Sequence, residues 1–117
     1  MIYRSEPKYH NKKTTVDGIT FDSKAEAARY CELKLLEKSG YISDLKLQPE
    51  FELIPAFSKN GKRYRKTVYK ADFCYVDRKT GKTLVEDVKG VKTQVYAMKK
   101  KLFEYRFPDL ELTEVKR

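Results

Sequence analysis

Between Tyr69 and Gly90 the chain reads Y-K-A-D-F-C-Y-V-D-R-K-T-G-K-T-L-V-E-D-V-K-G, two apolar strands around a short glycine-containing turn. Asp72 falls within the first strand, and Glu86, Asp87 and Lys89 fall within the second. A surface hairpin keeps its charges at the turn or at alternate positions. A charge inside strands this apolar is costly unless it meets a partner or a metal. Here the turn and the strand interiors are both charged, so the fold has to bring these groups to partners.

Strand parity narrows where they go. In an antiparallel pair, opposed residues have position numbers with a constant sum. A turn centred on Thr80 sets Asp72 opposite Val88, and a shift of one residue sets it opposite Asp87 or Lys89. In each register Asp72 ends beside Asp87 and Lys89, which lie two apart and share a face of their strand. Glu86 points to the other face with Val88 and is set aside. Two carboxylates and one ammonium group converge, which suits metal-assisted phosphodiester hydrolysis. Asp72 and Asp87 offer hard oxygen ligands for Mg²⁺ or Mn²⁺. The ion polarises a phosphoryl oxygen and lowers the pKa of a bound water. Lys89 orients or deprotonates that water, or offsets charge building in the transition state. The competing reading is a buried Asp–Lys ion pair that only stabilises the sheet. It leaves one Asp without a partner, and burying an ion pair is a poor route to stability.

With 117 residues the chain is long enough for one domain and too short for two. Its 26 Lys+Arg against 17 Asp+Glu give a net charge of +9. That excess favours a polyanionic partner, nucleic acid before an anionic membrane surface, although solubility alone also accounts for a basic surface. The 9 Tyr and 6 Phe include rings beside basic residues that can stack on bases, though most belong to a core. Cys31 and Cys74 fall in a helix and a strand with no C-x-x-C pair, and read as small buried hydrophobes rather than a disulfide or zinc site. His10 has no Cys or His neighbour to form a site with. No apolar run is long enough to span a bilayer and no signal peptide is visible, so a cytoplasmic location with reduced thiols is expected.

In chain order, residues 1–13 read as a basic arm without period. Asp17-Gly18 between short β-rich runs predicts a hairpin. A helix follows from Ser23 to about Lys38, ending at Gly40, with Ala25, Ala28, Cys31, Leu35 and Leu36 as its apolar arc and Glu26, Tyr30, Leu33 and Glu37 on the flank. Ser23-x-x-Glu26 is a capping box, which explains Glu26 locally. The other reading makes Glu26 an acidic ligand facing the sheet. From Leu45 to Leu53 the odd positions are apolar and the even ones polar, a half-buried strand in which Pro49 suggests an edge or a bulge.

The loop S-K-N-G-K-R-Y-R-K then carries Lys59, Lys62, Arg63, Arg65 and Lys66 with no acid. It reads as a hairpin tip that grips phosphates, or as a solvated charged loop. A strand from about Tyr64 to Val76 enters the opening stretch, and Gly90 closes the strand that returns. Thr93–Arg106 reads as a helix with Val95, Met98, Leu102 and Tyr105 as its stripe, and with Lys99, Lys100, Tyr96 and Phe103 on a flank. A final strand makes Thr83–Val115 a βαβ unit with parallel strands. The expected fold is therefore α+β, in the order α-β-β-β-α-β with a mixed central sheet after a small N-terminal hairpin.

Ala71-Asp72, then Asp87-Val88-Lys89, in that element order resemble the PD-(D/E)-x-K nuclease superfamily, with Ala71 in place of the proline. The chain is also similar to a family of small phage and prophage proteins whose pattern runs F-D-S-K-x-E-A, Q-P-x-F-x-L, Y-x-A-D-F and E-D-V-K-G-x-x-T. Those segments are Phe21–Ala27, Gln48–Leu53, Tyr69–Phe73 and Glu86–Thr93. The resemblance implies a restriction-endonuclease-like core and a Mg²⁺- or Mn²⁺-dependent endonuclease acting on DNA, branched or linear, in a bacterial host cell. It implies that Asp72 and Asp87 ligate the metal, that Lys89 is the catalytic lysine, and that Glu26 and Val88 belong to the metal site. Lys62, Arg63, Arg65, Lys66, Lys99 and Lys100 are the residues expected to bind nucleic acid. A homodimer fits an enzyme that cuts both strands. The alternatives are a non-catalytic nucleic-acid-binding module and a phage adaptor protein that kept the fold.

Overall fold

The computed structural model describes residues 12–89 and 92–116, with Lys89 described by its backbone alone. Most of the basic arm, His10 and Gly90 lie outside the described residues, as does the Lys89 side chain.

A hairpin of β1 (Thr14–Val16) and β2 (Ile19–Phe21) opens the described chain. Asp17 and Gly18 both take positive φ, 53° and 76°, the geometry that a tight two-residue hairpin turn requires. Helix α1 (Lys24–Lys38) follows, with Ser23 Oγ capping it by accepting from the Glu26 N–H at 3.1 Å. The central sheet has the order β10-β9-β8-β3. Strands β3 (Ile42–Leu47) and β8 (Phe73–Asp77) are antiparallel, as are β8 and β9 (Thr83–Lys89). Helix α2 (Gln94–Arg106) carries the chain across to β10 (Glu111–Lys116), which runs parallel to β9. The protein is thus a mixed α+β fold whose principal elements run α-β-β-β-α-β. No described helix is long and apolar enough to cross a membrane.

The middle of the chain differs from expectation. The alternating segment 45–53 is two strands. Gln48 adopts φ 51° and, with Pro49, turns the chain out of β3, so that β4 (Glu50–Ile54) pairs instead with β7 (Thr67–Lys70) as a separate two-stranded sheet. The expected strand 64–76 is likewise three: β6 (Lys62–Tyr64), β7 and β8. Between β4 and β7 the chain makes a hairpin of β5 (Phe57–Lys59) and β6, turning at Asn60-Gly61.

Two cores lie on opposite faces of the central sheet. One gathers Phe21, Ala27, Tyr30, Leu33, Ile42, Phe73 and Tyr75 beneath α1; the other gathers Leu53, Tyr69, Ala71, Cys74, Val85, Tyr96 and Phe103 beneath α2. Both helices bury the residues read as a flank, while of the expected apolar stripes Leu36 and Leu102 pack at the core edges. On α1 the buried residues are Glu26, Ala27, Tyr30 and Leu33, while Cys31 is exposed and Leu35 is 65% exposed. On α2 they are Tyr96 and Phe103, and Val95, Met98 and Tyr105 are exposed. Tyr and Glu on a buried face read as surface residues until their partners are known, and each partner here lies on another element. Tyr30 donates to Asp17 at 3.0 Å, and Tyr96 donates to Glu114 at 2.7 Å.

Candidate active site

The break between β7 and β8 falls at Ala71-Asp72, so Asp72 lies at a strand end rather than mid-strand. Four hydrogen bonds hold the break. The Ala71 N–H donates to the Pro49 carbonyl and the Gln48 N–H donates to the Asp72 carbonyl. The Asp72 N–H donates to the Glu86 carbonyl, and Asp72 Oδ2 accepts from the Val88 N–H at 2.6 Å. The same positive-φ step at Gln48 that sends β4 away therefore fixes the main chain of Asp72 against β9. The β8–β9 ladder pairs Phe73 with Glu86, and that register continued by one residue sets Asp72 level with Asp87.

Parity divides β9 between the two faces. Val85 and Asp87 face the α2 core, and Leu84, Glu86 and Val88 face α1. Asp87 is buried, and its Oδ2 accepts from the Tyr69 hydroxyl on β7. Burial, then this bond, raises the Tyr69 pKa, so the phenol remains a donor. Tyr96 is held by Glu114, which also pairs with Lys92 at 3.0 Å. The Tyr96 hydrogen bond, then Lys92, keeps Glu114 below the ordinary carboxylate range.

Glu26 reaches the break from α1. It is 5% exposed, and the Asp72 and Asp22 groups act on its carboxyl electrostatically. Glu26 thus contributes to the helix start and approaches Asp72 at once. Burial first, then the Asp22 carboxylate, raises its pKa. For Asp72, burial and then the nearby Glu26 and Asp87 carboxyls push the pKa up to about 8, against the opposing Val88 N–H. Three carboxyl groups, Glu26, Asp72 and Asp87, therefore influence one another where the sheet breaks.

Glu86, set aside from the sequence, is 2% exposed and has its own network on the α1 face. Arg29 Nε donates to Glu86 Oε1 at 2.8 Å and Arg29 Nη2 donates to Oε2 at 2.6 Å, while the Tyr75 hydroxyl donates to Oε2 as well. This two-pronged pair ties α1 to β9 one turn beyond Glu26. Sequence reading missed Arg29, Tyr69 and Tyr75. The available signal was two Tyr on largely apolar strands, whose polar tips need buried acceptors, while Arg29 on the charged helix α1 carried none.

Lys89 continues β9 two residues beyond Asp87, its backbone level with Lys116 of β10. The expected nucleic-acid contacts divide into two groups. Lys62, Arg63, Arg65 and Lys66 are exposed on or beside the β5–β6 hairpin. Lys99 and Lys100 are half-buried on α2, where Lys100 pairs with Glu104 at 3.2 Å. Among the described residues, no group of three or more His, Cys, Asp or Glu is spaced to hold a metal ion as it stands.

The raised Asp72 pKa sets a sign for pH-dependent stability. The unfolded chain releases this proton near 3.8, whereas the folded protein holds it to about 8. The folded state therefore binds more protons between those values, and its stability falls as pH rises through that window. Below the window Asp72 contributes nothing, and above it the full penalty is present. In metal-free buffer, Asp72→Asn should be more stable than the unsubstituted protein at pH 8 by on the order of 2 kcal/mol, with the gap closing toward pH 4. Thermal unfolding of both proteins across that range is the check, and parallel curves would refute it.

Comparison with known families places the chain. The family described as "Protein of unknown function (DUF1064)" matches residues 6–117, and the chain belongs to it. No curated protein and no solved structure matches.

Proposed function

For this member of the DUF1064 family, we propose a Mg²⁺- or Mn²⁺-dependent endonuclease that hydrolyses DNA phosphodiester bonds. The observation that carries this reading is the crowding of Glu26, Asp72 and Asp87 at the sheet break, with the Asp72 carboxyl pushed up to about 8. Partly buried carboxyls that repel one another oppose folding, and a divalent cation relieves that repulsion. The donor chemistry fits. Mg²⁺ is commonly held by one or two carboxylates, with waters and substrate phosphates completing its shell, so a closed protein cage is not required.

Asp72 and Asp87 would hold the ion, with Glu26 and the Val88 main-chain carbonyl as further oxygen donors. Once bound, the ion would polarise a phosphoryl oxygen and lower the pKa of a coordinated water. The rest falls to the chain itself. The Val88 N–H fixes one Asp72 oxygen and the Tyr69 hydroxyl fixes one Asp87 oxygen. Both carboxyls are thereby oriented before substrate arrives. Lys89, two residues beyond Asp87 on β9, would be the residue to supply a proton acceptor or a positive charge. The net charge of +9 draws in the polyanion.

The test is incubation with linear, nicked, flapped and four-way DNA, with Mg²⁺, Mn²⁺ or EDTA. Cleavage in the metal lanes only is expected. Cleavage that persists in EDTA, or no cleavage of any substrate, would overturn the reading. One observation favours a second reading, a non-catalytic nucleic-acid-binding module: the described carboxyls do not stand ready as a metal cage. That reading predicts salt-sensitive binding in EDTA and intact substrate in every metal lane.

A further inference from the structure

The β5–β6 hairpin is the part of the molecule that its own fold explains least. Residues 54–66 are exposed without exception, and among the described residues β5 and β6 pair only with each other. The register sets Phe57 opposite Tyr64 and Lys59 opposite Lys62. Opposed residues share a face, and so do residues two apart along a strand. One face of the ribbon therefore carries Phe57, Lys59, Lys62 and Tyr64 together, with Arg63 on the other.

The two rings stack at 4.8 Å between centroids and 13° between planes, and the Lys62 ammonium lies 5.1 Å from the centre of the Tyr64 ring. Neither ring joins a core: Phe57 remains 48% exposed and Tyr64 40% exposed. The cations are equally unspent. Elsewhere Lys13, Arg29, Lys34, Lys82, Lys92 and Lys100 each pair with a carboxylate. Lys59, Lys62, Arg63, Arg65 and Lys66 have no ion pair among the described residues, and no acid lies between positions 53 and 71.

A cross-strand aromatic pair stabilises a hairpin by only about 0.2–1 kcal/mol. That accounts for two rings touching but not for half-exposed rings that share their face with Lys59 and Lys62, which have no ion pair among the described residues. Such a surface fits a ligand with flat apolar faces spaced along an anionic backbone. In a duplex the base faces are covered by stacking; in a single strand they are free. Base–aromatic stacking contributes about 1–3 kcal/mol per base and tolerates any sequence.

We infer that the β5–β6 ribbon is a single-strand reader: unpaired bases stack on the Phe57–Tyr64 platform while Lys59 and Lys62, on the same face, hold the flanking phosphates. Tyr64 precedes Asp72 by eight residues, which span at most about 27 Å as extended strand. The ribbon and the carboxyl cluster thus belong to one continuous stretch of chain. Resting on the endonuclease reading, the inference narrows its substrate to nucleic acid with an unpaired segment next to the cut, such as a flap, a gap or a fork.

The test separates this inference from catalysis by measuring binding in EDTA. The full chain is titrated against a labelled single-stranded oligonucleotide, a blunt duplex and a flapped duplex, each as DNA and RNA. Fluorescence of 2-aminopurine in the unpaired segment reports stacking. The single-stranded and flapped ligands should bind at least about tenfold tighter than the duplex, with 2-aminopurine quenched. Phe57→Val and Tyr64→Thr keep β-propensity while removing the rings. Each should lose about tenfold on unpaired ligands, lose the quenching, and leave duplex binding unchanged. The inference is overturned if these variants bind unpaired ligands like the parent, or if the duplex binds as well as the single strand. Discrimination and quenching without cleavage in Mg²⁺ would leave the ribbon assignment standing and remove the endonuclease reading alone.

Discussion

Asp72→Asn is expected to lower metal-dependent cleavage by about three orders of magnitude or more, since a lost metal ligand removes several kcal/mol of transition-state stabilisation. Asn has the same shape and can still accept from the Val88 N–H, so the break between β7 and β8 should hold. What disappears is the negative charge. The same substitution should raise metal-free stability at pH 8, because it removes a carboxyl whose pKa burial and crowding push to about 8. Gain in stability with loss of activity is the signature of a site that folding tolerates rather than favours. A structural ion pair predicts the reverse, a less stable variant. Rates for the parent, Asp72→Asn and Lys89→Ala on one cleavable DNA, with thermal unfolding of each, decide between them. Wild-type cleavage by Asp72→Asn would remove it from the proposed active site.

Arg29→Met alone should destabilise the protein by about 3–5 kcal/mol, because it leaves the buried Glu86 carboxylate without its cation. Glu86→Leu should cost less, because Arg29 is partly exposed and keeps Glu32 at 2.9 Å. Glu86 is 2% exposed and accepts two bonds from Arg29, so little solvent screening remains on its side. For a domain of this size the larger loss lowers the melting temperature by about 10–20 °C. The double variant Arg29→Met with Glu86→Leu should recover most of the loss, since an apolar pair of similar volume avoids the desolvation penalty. Urea unfolding of the two single variants and the double closes the cycle. A loss below about 1 kcal/mol in Arg29→Met would show that the pair does not anchor α1 to β9. Because Arg29 lies one turn from Glu26, the single variants should also disturb the approach of Glu26 to Asp72.

Local signals and partner-dependent signals fared differently in the sequence. Ser23 as the α1 cap, the turns at Asp17-Gly18 and Asn60-Gly61, and the parallel β9–α2–β10 unit are each set by a few neighbouring residues. These were legible in advance. The helix faces were not. On α1 the arc through Cys31 and Leu35 is the more apolar by composition, yet the face with Glu26, Tyr30 and Leu33 is buried. Counting apolar side chains ignores what a hydrogen bond can make buriable. Tyr30 finds Asp17 on the β1–β2 turn, and on α2 Tyr96 finds Glu114 on β10. Each partner lies on a different element, beyond the reach of any periodicity within the helix.

The charged hairpin shows the same division. Period-two alternation along the chain alone separated Asp87 from Glu86, because successive side chains of a strand must point to opposite faces. It could not say that Glu86 would be buried as deeply as Asp87, with Arg29 and Tyr75 as its partners. Nor could it place the chain break at Ala71-Asp72, which follows from the left-handed backbone at Gln48 and the bonds between the 48–49 turn and the 71–72 segment. The sequence by itself determined the order of elements, the turns and the two faces of β9, since those depend on neighbours along the chain. Only the tertiary structure decided which helix faces are buried and which acids come near one another at the sheet break. Those outcomes depend on groups that become neighbours when the chain folds.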